Sequence, residues 1–366
     1  MVMIHHFLAD ADPANLGTKL LVRASGFGWS GVDLFFCLSG FLITGILIDT
    51  KNDATPLRTF LMRRVLRIFP VYYFTLAIVL FVWPLFSRDP SQFTQIEHNQ
   101  VWYWTYMTNF LIASRADLGV VNAAHLWSLA VEEQFYIFWP FLALYLSTKH
   151  LRIACLGMIV GALIFRIWCL WSGWGTSAAY VLTFSRMDAL AAGALLATLV
   201  REPALLQRMK AFVPYAAGAL AVLLVAVVAI QGSFTRGPLM LTVGFSSIAL
   251  LSAIIVGAAA CERIPSAKSL LELPFLRFFG KYSYSMYIFH PFILTAMIAI
   301  PAVAHSLNHA PSALEVIAFS LAGIFITALV SLVSWRVIEQ PFLSLKRYFQ
   351  SSPKAQPLPT PPKNTT

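Results

Sequence analysis

Histidines and carboxylates inside apolar stretches are where this sequence places its possible chemistry. His5 and His6 lie in the apolar opening segment. A histidine takes a proton near neutral pH, which suits a general base acting on a hydroxyl; the alternative is a polar anchor near a membrane interface. HLWSLAVEEQFY (125–136) is the richest cluster, with His125, Trp127, Ser128, Glu132, Glu133, Gln134 and Tyr136. Ionisable groups inside a bilayer cost about 2.5–3.5 kcal/mol on insertion scales, so Glu132 and Glu133 mark a site or a proton path unless they pair with Arg166 or Arg186. Trp127 and Tyr136 fit an interfacial aromatic belt.

Further polar clusters add a phosphate-binding pattern. In RRVLRIFP (63–70), Arg64 and Arg67 are three apart and share a helical face. With Arg63 they form a set whose guanidinium forks match phosphate oxygens, and anchoring to anionic lipid is the alternative. GVDLFFCLSGF (31–41) places Asp33 at the start of a span and Ser39 and Gly40 where small residues let helices approach. Arg186 and Asp188 are two apart and therefore reach different neighbours. His290 lies midway along its stretch and can line a cavity. Arg336 and Glu339 are spaced for a salt bridge on one helix. No P-loop is present, which removes support for an NTPase of that type. The cysteines, Cys37, Cys155, Cys169 and Cys261, have no metal-ligand spacing, and no metal is expected.

These residues need a membrane scaffold. Apolar residues make up 58% of the chain and charged residues only 11%, against roughly 25% in a soluble domain. The mean hydropathy is +0.73. An all-α, polytopic helix bundle in the bilayer is the fold class that fits. Spans are expected at Ser30–Ile48, Ile68–Phe86, Leu126–Leu146, Ile153–Trp171, Leu182–Val200, Phe212–Ile230, Leu239–Ala260, Tyr282–Pro301 and Leu314–Trp335. Met1–Leu8 reads as the last part of a first helix, which brings the expectation to about ten. Val101–Ala113 is too short to cross and suits a re-entrant or interfacial segment.

Loop charge sets the orientation. With that segment not crossing, the loops that open at Lys51, Lys149, Arg201 and Arg263, plus the tail from Arg336, hold nineteen of the 26 Lys and Arg residues. Those loops belong in the cytoplasm, with the C-terminus. The net charge of +10 therefore belongs to helix anchoring and implies no nucleic acid. The domain reading is one membrane domain over 1–349 and a Pro-rich, disordered cytoplasmic tail over 350–366.

Six motifs in order resemble the acyltransferase 3 family of membrane proteins: GVDLFFCLSGFLIT (31–44), RRVLRIFP (63–70), HLWSLAVEEQFY (125–136), SRMDALAAG (185–193), YSYSMYIFH (282–290) and WRVIEQP (335–341). The resemblance runs from His5 to about Pro341, in the stand-alone form without a soluble hydrolase-like domain. It implies a membrane O-acyltransferase of the bacterial inner membrane that moves an acyl group, commonly acetyl, from acetyl-CoA to a hydroxyl of a carbohydrate or lipid-linked glycan. Acyl-CoA would be a co-substrate, with no permanently bound cofactor. His6 fits the family's essential histidine, and the arginine of that pattern would lie five residues before Met1, so the first helix is expected to begin upstream. The resemblance puts Arg63, Arg64 and Arg67 on the acyl-CoA side. His6 would act as base on that hydroxyl and Glu133 would orient the imidazole or hold its charge, with Asp33 and His5 as further catalytic candidates. His125, Trp127, Ser128, Glu132, Arg186, Asp188 and His290 are supporting or substrate-binding candidates. A proton-coupled secondary transporter is the competing class; it would suit the buried His, Glu and Arg, but no matching halves are visible.

Overall fold

A chain in lipid must satisfy its backbone hydrogen bonds within each segment, so the apolar stretches fold as helices. The structure is a computed structural model and describes residues 1–9, 15–85, 96–115, 123–209, 211–231, 237–260, 272–308 and 311–349. The expected disordered tail (350–366) and Cys261 lie outside the described residues. Among the described residues there is no strand. Seven helical stretches are long and apolar enough to cross a membrane: Leu16–Asp49, Pro56–Leu85, Thr148–Trp171, Gly175–Leu199, Val213–Gln231, Met240–Ala260 and Ala313–Tyr348. Pro274–Ile298, with Pro301–Leu307 bent from it by 92°, makes an eighth. The chain is a multi-pass membrane protein.

In chain order the helices are α1 (Val2–Ala9), α2 (Leu16–Ser25), α3 (Gly31–Asp49), α4 (Pro56–Ala77), α5 (Gln100–Trp104) and α6 (Thr108–Arg115). They continue as α7 (Leu126–Tyr145), α8 (Thr148–Trp171), α9 (Gly175–Val181), α10 (Thr183–Leu199), α11 (Pro203–Met209) and α12 (Val213–Gln231). The last are α13 (Phe245–Ala260), α14 (Pro274–Ile298), α15 (Pro301–Asn308), α16 (Ala313–Ser334) and α17 (Gln340–Ser344). Helix α7 has the length of a span, 20 residues, and only its central Glu132, Glu133 and Gln134 dilute its apolar character. The expected Val101–Ala113 segment becomes α5 and α6, of 5 and 8 residues, too short to cross. They part at Tyr106, which takes a left-handed φ of 55°.

Helix starts differ from expectation where proline intervenes. Helices α4 and α14 begin at Pro56 and Pro274, well before the expected Ile68 and Tyr282, because proline at the first helical position loses no hydrogen bond. Helix α2 was not anticipated; Asn15 caps it through a capping box with Thr18.

Helix α10 is the hub, packed against α3, α8 and α13. Its Ala- and Gly-rich run allows this. A Cβ at Gly193 would collide with the Cys37 carbonyl, and one at Gly40 with the Leu190 carbonyl, so α3 and α10 meet backbone to backbone. On the far side, α1 lies on α16, where the Phe7 ring covers Gly323 and would collide with any Cβ there.

Candidate functional site

Four groups of polar side chains are gathered among these helices. The first is two ion pairs around α10. Arg186 bonds Asp33 of α3 at 2.7 Å, and Asp188 accepts from Arg166 of α8 at 2.8 Å. All four residues are at most 1% exposed. The Arg186 guanidinium also lies over Phe245, Tyr180, Trp127 and Phe36, at 4.2 to 5.8 Å from the ring centroids. Arg166 is thus engaged by Asp188 and Arg186 by Asp33, so neither pairs with Glu132 or Glu133. Trp127 and Tyr136 are buried in the bundle and do not form an interfacial belt.

The second group is carried by α7. Ser128, Glu132 and Tyr136 recur every four residues and share one face. Glu132 accepts hydrogen bonds from Ser39 and Tyr136. Ser128 bonds the Tyr287 hydroxyl of α14. On another face, Gln134 donates to the Tyr106 carbonyl at 2.8 Å and to Asn109 at 3.0 Å, tying α5 and α6 to α7. Trp139 donates to Thr44 at 2.8 Å. A helix this polar is tolerated inside the bundle because Ser128, Glu132, Gln134 and Trp139 meet partners outside it.

The third group is cationic and sits where α4 meets the C-terminal helices. Arg64 stacks on Tyr136 with its guanidinium carbon 5.2 Å from the ring centroid, and its charge acts on both Glu132 and Glu133. Arg67 lies within electrostatic reach of Glu339. Arg63 is exposed and donates to the Phe349 carbonyl at 2.7 Å. Lys346 comes back to the same place and feels Arg67, Arg64 and Arg63. In the sequence Lys346 reads only as a tail cation, and its position a few residues past WRVIEQP is the one hint of this placement. The salt bridge expected between Arg336 and Glu339 does not form among the described residues. Trp335–Glu339 is a π-turn, which breaks the three-residue spacing on which that expectation rested.

The fourth group is a histidine cluster built from three distant parts of the chain. His6 of α1 and His290 of α14 are joined Nδ1 to Nε2 at 2.8 Å, with ring centroids 5.0 Å apart. His290 Nδ1 bonds the Tyr287 carbonyl at 2.8 Å. His125, just before α7, bonds the Ile288 carbonyl at 3.1 Å, and its ring lies 5.8 Å from that of His290. The Tyr287 hydroxyl donates to the His125 carbonyl at 3.0 Å. His5 turns elsewhere and bonds the Ser25 carbonyl of α2 at 3.0 Å. Phe7, seated on Gly323 and edge-on to Phe319, fixes the rotation of α1 that brings His6 to α14. The structure therefore brings His6, His125 and His290 together. Glu133 belongs with Arg64, and Asp33 with Arg186. The ring bonded to His6 is that of His290, where the sequence analysis expected the Glu133 carboxylate.

The family model described as an acyltransferase domain matches residues 1–336. A Staphylococcus aureus (strain COL) protein provisionally named an O-acetyltransferase is 28% identical over 331 residues, covering 86% of this chain and 52% of that protein. The peptidoglycan O-acetyltransferase OatA of Listeria monocytogenes is 27% identical over 331 residues, covering 86% of this chain and 51% of its own. The O-acetyltransferase OatA of Staphylococcus aureus (strain NCTC 8325 / PS 47) is 26% identical over 335 residues, covering 86% and 52%. The chain thus spans about half the length of these relatives. No solved structure matches it.

Proposed function

This chain belongs to the acyltransferase family whose model covers residues 1–336, and from that premise we propose that it transfers an acyl group, in the simplest case acetyl, from acyl-CoA to a hydroxyl of a carbohydrate-bearing acceptor. The observation that carries the proposal is the pairing of two chemistries along α7. A histidine cluster with His6 bonded to His290 lies at the start of α7, beside His125, and Arg64 with its neighbouring cations lies further along the helix, against Tyr136. The Ser128, Glu132 and Tyr136 stripe runs between them.

In this proposal the cationic end faces the cytoplasm of a bacterium, in its inner membrane, with the C-terminus on the same side, an orientation that the loop charges support. Arg63, Arg64, Arg67 and Lys346 hold the phosphates of acyl-CoA there. The acceptor hydroxyl is presented at the opposite end, beside His6. Its oxygen attacks the thioester carbonyl while His6 takes its proton. The new C–O bond forms, the C–S bond breaks, and the proton passes from His6 to the departing sulfur. The peptidoglycan named for the Listeria relative makes a glycan of that type the first acceptor to try.

The donor half is tested at Arg67. Each charge-assisted hydrogen bond is worth about 1.5–3 kcal/mol, so Arg67→Ala should weaken acetyl-CoA binding by about ten- to a hundredfold. Calorimetry on protein in nanodiscs measures this. Unchanged binding in the Arg64→Ala/Arg67→Ala double variant would reduce these arginines to lipid anchors and overturn the donor site.

A further inference from the structure

We infer that His290 and Pro291 together form a tautomer lock that keeps the Nε2 lone pair of His6 available as the base. The inference rests on the proposed role of His6 and adds a positioning residue to it. In a regular helix the carbonyl of Tyr287 would accept the amide of residue 291. Residue 291 is proline, inside α14, and has no amide hydrogen to give. The Tyr287 carbonyl is left without its helical donor, and His290 Nδ1 lies 2.8 Å from it, with the Met286 carbonyl also in reach at 3.1 Å.

A carbonyl only accepts, so the Nδ1 of His290 must carry the hydrogen. Neutral His290 then has its lone pair on Nε2, which faces His6 Nδ1 at 2.8 Å. His6 Nδ1 must donate into that lone pair, and the remaining lone pair of the neutral His6 ring falls on Nε2. The same bond strengthens when His6 takes a proton, because its donor then carries positive charge. His290 thus does for His6 what a carboxylate does in a Ser-His-Asp triad: it orients the ring, fixes the tautomer and supports the imidazolium. The surrounding polar groups reinforce the geometry. His125 bonds the Ile288 carbonyl, and the Tyr287 hydroxyl holds the His125 carbonyl, so the start of α7 is clamped to this same turn of α14.

The test compares His290→Gln, His290→Phe and Pro291→Ala. A glutamine amide can donate to the Tyr287 carbonyl and accept from His6, whereas phenylalanine fills the space without either bond. The expected result is that the phenylalanine variant loses about ten- to a hundredfold in kcat, the worth of one charge-assisted hydrogen bond, with KM for acetyl-CoA unchanged. Glutamine should recover most of that loss. Pro291→Ala returns an amide hydrogen that competes for the Tyr287 carbonyl, and about two- to tenfold in kcat should go with it. A purely packing role predicts the reverse order, with phenylalanine at least as active as glutamine, and that order would overturn the lock. Full activity in Pro291→Ala would do the same without touching either histidine. The role of His6 itself is separated by His6→Ala: activity kept there removes the base, whereas activity lost there with equal glutamine and phenylalanine variants removes only the lock.

Discussion

His6→Ala is expected to lower acyl transfer by about 10²–10⁴-fold, the usual contribution of a positioned general base. Acetyl-CoA binding should stay intact, because the cations proposed to hold it lie beside Tyr136, away from the histidines at the start of α7. The neighbouring histidine provides the internal control. His5 bonds the Ser25 carbonyl and so ties α1 to α2; His5→Ala removes an anchor worth about 0.5–1.5 kcal/mol and should lower activity by less than about tenfold. The measurement is CoA release and acceptor acylation, with each variant first shown to insert and to elute as the parent does. Equal effects of the two substitutions would mean that the pair acts only as structure. A larger loss at His5 would move the base by one residue.

Arg186→Leu should have the largest effect on stability. Arg186 and Asp33 are each about 1% exposed, and their bond crosses from α10 to α3 at the tightest contact of the bundle. Removing one member of a buried pair strands the other charge and costs about 3–5 kcal/mol. The cost should be high here, since the arginine also covers the faces of Trp127, Tyr180 and Phe245. The double variant Asp33→Leu/Arg186→Leu removes both charges and should regain most of the loss, because apolar replacements of a whole buried pair are often neutral. Denaturant titration in detergent, with both single variants and the double, measures the coupling. A single Arg186→Leu variant as stable as the parent would show that the pair does not hold α3 to α10.

Much of the scaffold was legible because lipid leaves a chain so few options. Apolar runs of span length became helices close to the expected places, and the short, aromatic Val101–Ala113 segment broke into two helices that cannot cross. What the sequence concealed lies mostly in partnerships between distant residues. From the sequence, Arg166 and Arg186 were candidate partners for Glu132 and Glu133, and helix packing, not spacing, assigned them to Asp188 and Asp33. Trp127 and Tyr136 have the composition of an interfacial belt, yet the first half of α7 is so enclosed that both became interior. Arg336 and Glu339 obeyed the helical spacing rule only on paper, since a π-turn intervenes.

The histidine pair is the most instructive case. His6 and His290 are 284 residues apart, and no local pattern joins them. A signal was nevertheless present in the proline after His290. A proline in mid-helix frees the carbonyl four residues before it, and a polar ring one position away is well placed to take that carbonyl up. Lys346 was hidden for a different reason: it read as one more loop cation, and only the return of the C-terminal helices to α4 gives it company.

In the proposed mechanism donor and acceptor meet from opposite faces of the membrane, which one-sided proteoliposomes can measure. Protein is inserted in a single orientation, and acetyl-labelled acetyl-CoA is supplied to one face with peptidoglycan-derived glycan fragments on the other. Label should reach the glycan only when the donor is on the face that carries Arg63, Arg67 and the C-terminus, and His6→Ala should stop it. Transfer only with donor and glycan on the same face, or only with donor on the histidine face, would contradict the account.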